Sequence, residues 1–174
     1  FPIDERIADG SVRIRVVDPA ELSPGEFITM IRQAVEHDDA RMIVIDSLNG
    51  YINAMPEERF VLVQLHELLA YLGQLGVVTL LVSAQQGLVG PMTNAIDVSY
   101  LADNVLLFRY FEAHGAVRQA LSVLKKRTGA HERTIRELRV SKGGLEIGEP
   151  LRQFRGVLTG VPYEEKEPQA GGTP

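Results

Sequence analysis

The chain has no cysteine among its 174 residues. A disulfide framework and thiolate metal sites are therefore excluded. There is no tryptophan, and aromatic residues make up only 6% of the chain. No apolar run approaches the roughly 18–20 residues that a membrane-spanning helix needs, so no membrane role is expected. The four histidines, at positions 37, 66, 114 and 131, show no metal-ligand spacing. Positive charge is also scarce: 18 Lys and Arg against 23 Asp and Glu give a net charge of −5. A general nucleic-acid binder normally carries a basic surface, so no nucleic-acid partner is expected. Finally, the phosphate-cradling signature G-x-x-x-x-G-K-[ST] occurs nowhere in the sequence.

What remains is the profile of a globular domain, 45% hydrophobic and 24% charged, with enough chain for one core. The first residues, Phe1-Pro2-Ile3-Asp4, carry no signal-peptide pattern. The expected compartment is the cytoplasm.

Ser11–Val17 alternates apolar and charged side chains and reads as a half-buried strand. Ser23-Pro24-Gly25-Glu26 has the form of a capping box, opening a helix to about Glu36. Arg41–Asp46 is a short apolar run of the kind buried on both faces in a parallel sheet. A helix over about Glu57–Leu75 places Val61, Leu65, Leu68, Leu69 and Leu72 on one face, with Gly76 ending it. Val77–Ser83 reads as a second buried strand. Alternating strands and helices imply a mostly parallel sheet with helices packed on it. Beyond the long connection Gln85–Asp103, the pattern changes to antiparallel strands. Val105–Phe111 and Val117–Leu124 flank the turn signal Glu112-Ala113-His114-Gly115, and Thr134–Val140 and Leu145–Ile147 flank Lys142-Gly143-Gly144. The fold class is α/β. One partial domain is expected over residues 1–162, followed by a polar tail over 163–174 that reads as disordered.

Two places carry chemistry. Asp46 ends a buried strand, where open α/β sheets bind ligands. It could hold a Mg²⁺-bound water beside a triphosphate, or merely cap the turn that follows. Lys125 and Arg127 follow another strand and share a face if that strand continues, since alternate side chains point the same way. Two cations on one face suit a phosphate, with Arg supplying a planar fork, although a solvated strand end is the commoner fate of such a run. Ser122-Val123-Leu124-Lys125 fits S-x-x-K without that motif's partners. His66 lies on a polar helix face, and Glu57-Glu58 suits a helix N-terminus.

In combination, three segments resemble the KaiC branch of the RecA-like P-loop ATPases: Ile43-Val44-Ile45-Asp46-Ser47-Leu48, Tyr100-Leu101-Ala102-Asp103 and Lys125-Lys126-Arg127-Thr128-Gly129-Ala130-His131. The similarity continues through Arg136-Glu137-Leu138 to Phe154-Arg155-Gly156-Val157-Leu158-Thr159-Gly160. The resemblance implies a RecA-like core and a hexameric ring with ATP and Mg²⁺ between protomers. It also implies ATP hydrolysis in signalling or circadian-type regulation, with a KaiB-like or two-component partner. Asp46 matches the Walker B aspartate, with Ser47 beside it. Lys125 and Arg127 match the K-x-R pair that reaches the neighbour's γ-phosphate, and His131 matches a residue near the nucleotide sugar. The family's autokinase acceptors, an adjacent Ser and Thr, correspond to Ser99 and Tyr100. Tyr in place of Thr puts a two-step cycle in doubt and leaves Ser99 as the expected acceptor. The Walker A loop and the catalytic Glu pair after it are expected upstream, so this chain reads as a fragment without the N-terminal portion of the domain, inactive by itself. A recombinase-like DNA-binding ATPase and a non-catalytic interaction module are the alternatives. Against the recombinase stands Gln85–Asp103, which contains no Lys or Arg and includes Asp97 and Asp103, because binding a nucleic-acid backbone needs positive charge.

Overall fold

The computed structural model describes residues 2–18, 21–53, 58–84, 99–159 and 161–164. They fall into two compact units, Phe1–Ala84 and Gln85–Pro174, each built on its own sheet.

The first unit carries helices α1 (Ile3–Ala8), α2 (Pro24–Glu36), α3 (Leu48–Asn53) and α4 (Glu58–Gln74), with strands β1 (Met42–Asp46) and β2 (Val78–Val82). Helix α2 begins where its sequence specifies. The Ser23 hydroxyl accepts from the Glu26 N–H at 3.3 Å, and the Glu26 carboxylate accepts from the Ser23 N–H at 2.9 Å. Two otherwise orphaned N–H groups are thereby satisfied reciprocally. Helix α4 buries Val61, Leu65, Leu68 and Leu72, leaves Leu69 half-buried, and exposes His66. With Phe27, Ile31 and Val35 of α2 these side chains form the unit's core. Arg32, Glu36 and Tyr71 join α2 to α4 at the surface: Glu36 accepts from both partners, and the Arg32 guanidinium lies 4.7 Å from the Tyr71 ring centre.

Strands β1 and β2 pair in parallel, Met42 opposite Val78 through Asp46 opposite Val82. This agrees with the expected parallel pair, but the expected burial on both faces is not seen. Ile45 is buried, whereas Met42, Val44, Val78, Leu80 and Val82 are exposed. These five share one face, because cross-strand partners and alternate residues lie on the same side. Within this unit, among the described residues, the helices cover only the other side.

The strand expected over Ser11–Val17 does not form. Val12 N–H donates to the Arg6 carbonyl at 2.9 Å, yet no strand lies alongside among the described residues. Ile14 and Val16 stand 66% and 98% exposed. Alternation supplies a two-faced pattern, but a strand also needs a neighbour for its backbone groups. Helices α1 and α3 were not foreseen.

The second unit is antiparallel. Strands β3 (Asn104–Ala113), β4 (Ala116–Lys126), β5 (Arg136–Ser141) and β6 (Gly144–Pro150) form a four-stranded sheet in chain order. The β3–β4 turn is tighter than the sequence suggests, with only His114 and Gly115 between the paired residues Ala113 and Ala116. Both turn residues have positive φ, 54° and 70°. That is the primed geometry which matches strand twist and which glycine adopts without strain. Phe111, Ala113 and Ala120 pack with Leu151, Phe154 and Val157 as this unit's core. Strand β7 (Phe154–Arg155) pairs with β8 (Tyr163–Glu164). Between them Gly156 is required twice over: its φ is +75°, and a Cβ there would collide with the Val161 carbonyl. The tail expected from residue 163 thus starts inside β8, and residues 165–174 lie outside the described residues.

Candidate functional site

Asp46 is the last residue of β1, at the C-terminal end of the parallel pair, and is exposed. The chain leaves it through a cis Asp46–Ser47 peptide into α3, whose first residue, Leu48, is almost fully buried. Asn49, one residue further, ties this corner to the end of β2. Its amide donates to the Ala84 carbonyl at 2.9 Å and its side-chain oxygen accepts from the Ala84 N–H at 2.8 Å and the Ser83 hydroxyl at 3.4 Å. Both strand ends are therefore fixed relative to each other beside Asp46. Sequence reasoning missed Asn49, because a side chain that clips residues 35 positions away leaves no local pattern.

In the second unit the strand end that carries Lys125 and Arg127 is shaped by a bulge. Leu106 pairs with Val123, but Val105 pairs with Lys125, so Leu124 is an extra residue in β4. Without the bulge, Lys125 would lie on the same face as Val123 and Leu121. With it, Lys125 joins the face of Val105 and Leu107. Bulges re-aim side chains in this way beside functional sites. Pairing continues one step beyond β4, where the Arg127 N–H donates to the Asp103 carbonyl at 2.8 Å. The Arg127 guanidinium meets the Asp103 carboxylate at 2.9 Å, and Lys125 Nζ donates to the Ser99 carbonyl at 2.9 Å. Lys126 points elsewhere and closes the following turn on the Ala130 carbonyl at 3.2 Å.

The structure thus brings Ser99, Asp103, Lys125 and Arg127 together. Tyr100 is exposed and His131 half-buried on the loop that follows β4. That loop is braced by Glu132, which accepts from the Thr134 N–H at 3.0 Å and from Arg136 at 3.0 Å. The Thr134 contacts, aided by Arg136, hold the Glu132 carboxyl down at about 2. Residues 85–98, including Asp97, lie outside the described residues. Asp46 and the Lys125–Arg127 pair belong to different units.

Among the described residues no group of three or more His, Asp or Glu could hold a metal ion. A lone strand-end carboxylate such as Asp46 still fits Mg²⁺, which keeps several waters and takes one or two carboxylates together with substrate phosphates. No helix among the described residues is long and apolar enough to cross a membrane.

The described units are mixed α/β, one closing a parallel strand with a carboxylate and the other closing an antiparallel strand with two cations. Residues 5–152 match the family model described as "ATPase: KaiC", and the chain belongs to that family. It is 25% identical over 158 residues to the circadian clock protein KaiC3 of Synechocystis sp. (strain ATCC 27184 / PCC 6803 / Kazusa), covering 88% of this chain and 30% of that protein. The circadian clock oscillator protein KaiC of Thermostichus vulcanus is 24% identical over 165 residues, with the same coverage of 88% and 30%. The KaiC of Synechococcus elongatus (strain ATCC 33912 / PCC 7942 / FACHB-805) is 29% identical over 90 residues, 45% of this chain and 17% of that protein. The chain spans about 30% of the length of the first two relatives.

Proposed function

We propose that this chain is the part of a KaiC-like ATPase that supplies one Mg²⁺-orienting carboxylate and one pair of γ-phosphate-facing cations. The phosphate-cradling loop would come from sequence outside these 174 residues. The observation that carries this reading is the bulged end of β4. It sets Lys125 on a chosen face and fixes Arg127 beside Asp103.

In this reading Asp46, with Ser47 alongside, would hold Mg²⁺ through water, and the ion would supply charge neutralisation at the triphosphate. Arg127 presents its planar fork, and Lys125 its ammonium, to the γ-phosphate of ATP held mainly by a neighbouring protomer in a ring, the family's hexamer. His131 lies toward the nucleotide sugar. A cation delivered where charge shifts during phosphoryl transfer accelerates it, as an arginine finger does. Relatives named for the circadian clock support a signalling or timing role. The proposed partner is a KaiB-like or two-component protein, and the proposed compartment is the cytoplasm. Autokinase activity would use Ser99: Tyr100 carries its oxygen about 4 Å farther from the backbone by ring size and bond lengths, and in-line transfer depends on close positioning.

The reading is tested in the full-length protein by replacing Asp46 with Asn. ATP turnover should fall by two orders of magnitude or more and respond weakly to added Mg²⁺, while the protein melts as the wild type does. Unchanged turnover would remove Asp46 from the site.

A further inference from the structure

We infer that Asp103 is a positioning residue for Arg127, presenting the guanidinium to phosphate; the inference rests on the function proposed above. The geometry has two parts. The Asp103 carbonyl accepts the Arg127 N–H at 2.8 Å, which fixes the backbone from which the side chain departs. The Asp103 carboxylate then takes one guanidinium nitrogen at 2.9 Å, which fixes where the side chain goes. One residue thus holds both ends of a long and otherwise freely rotating group.

This arrangement is directed rather than incidental. Cross-strand partners face the same way, and Asp103 lies directly before β3, opposite Arg127, only because of the extra residue Leu124. The Lys125 ammonium is anchored on the Ser99 carbonyl, in the same short segment. An Arg side chain has five donors in a rigid fork. One nitrogen on Asp103 leaves the other N–H groups of the fork for a phosphate. The pair is largely solvated, with the two side chains 61% and 64% exposed. Such pairs add little stability, so its value lies in orientation, as with the outer partners that aim metal-bound groups.

The experiment uses the full-length protein and compares kcat for ATP hydrolysis and Kd for Mg·ATP in four forms: wild type, Asp103→Asn, Arg127→Ala and the double variant. Asp103→Asn should lower kcat about tenfold, the low end of what removing an orienting partner costs, and leave Kd within about twofold. In the Arg127→Ala background the same substitution should cost nothing further, a non-additivity that a merely structural role would not produce. Asp103→Glu should recover part of the loss. Asp103→Ser repeats the comparison if the Asn variant does not assemble. Full additivity, or a kcat unchanged or raised by Asp103→Asn while Arg127→Ala remains impaired, would overturn the positioning role alone. Wild-type turnover in Arg127→Ala would overturn the functional reading, and this inference with it.

Discussion

The two units hold their candidate functional residues by different physics. In Phe1–Ala84 the apolar faces of α2 and α4 make the core, and Asp46 emerges from it at a strand end. Its placement follows from burial of Leu48 behind it and the Asn49 clip beside it. In Gln85–Pro174 the cations are placed by polar contacts made across strands. Arg127 takes Asp103 and Lys125 takes Ser99, and farther along the same sheet Arg118 and Arg139 converge on Glu137, each of these two at 2.7 Å. The first unit sets Asp46 by apolar burial and an uncharged amide clip. The second sets its cations by polar contacts, one of them an ion pair, so their placement depends on charge in a way that the placement of Asp46 does not.

Three substitutions would sharpen or break this contrast. The largest effect is expected in the apolar unit. Leu72 is 0% exposed, and Leu72→Ala should cost about 2–5 kcal/mol through lost burial and the cavity left behind. Urea unfolding would measure it, and a cost below about 1 kcal/mol would mean that α4 is not the scaffold described.

The second unit should respond to charge. Arg118, assisted by Arg139, holds the Glu137 carboxyl down at about 2, against an ordinary 4.5. A carboxylate with a lowered folded-state pKa stabilises the fold fully above its unfolded value and loses that contribution as pH falls through the folded one. Stability of this unit should therefore decline between about pH 5 and about pH 2. Glu137→Gln should cost about 1–3 kcal/mol at neutral pH, the range for a hydrogen-bonded charge, and flatten that decline. Melting followed against pH checks both, and a Gln variant with the wild-type slope would assign the acid sensitivity elsewhere. Glu132 is likewise held near 2 but is exposed, so it should contribute little to the slope.

The smallest effect should come from the α2 cap. Ser23→Ala removes one side-chain acceptor from the first turn and should cost about 1 kcal/mol, seen as early fraying in hydrogen exchange at Glu26. Unchanged exchange there would show that α2 holds its first turn without the cap.

What could be read in the sequence follows the same division. Local signals succeeded. The Ser23–Glu26 box started α2 where expected, Gly76 ended the α4 segment with φ near 70°, and the His114-Gly115 turn produced a hairpin. Periodicity alone failed at Ser11–Val17, because no neighbouring strand among the described residues completes the pattern. The apolar runs of β1 and β2 gave the strands but not their exposed face, since covering a face is a tertiary matter. Asn49, the Leu124 bulge and the Arg118–Glu137–Arg139 group were not legible, because each depends on which residues meet across strands or across tens of positions. Strand position and charge already marked Asp46, Lys125 and Arg127 as phosphate-site candidates, whereas their finer roles and those of Ser47, Ser99 and His131 came from the KaiC resemblance. The geometry now supplies Asp103 as a partner that the motif itself does not mention.

The central claim is that Asp46 and the Lys125–Arg127 pair serve opposite sides of a shared nucleotide site. It is tested most directly by mixing two inactive full-length variants, Asp46→Asn and Arg127→Ala, after subunit exchange has been confirmed with labelled protomers. In the proposed ring, mixed assemblies would contain some interfaces that join an intact Asp46 to an intact Arg127, so ATP hydrolysis should recover to a fraction set by the mixing ratio. Activity that stays at the level of the separate variants at every ratio would contradict action across the interface.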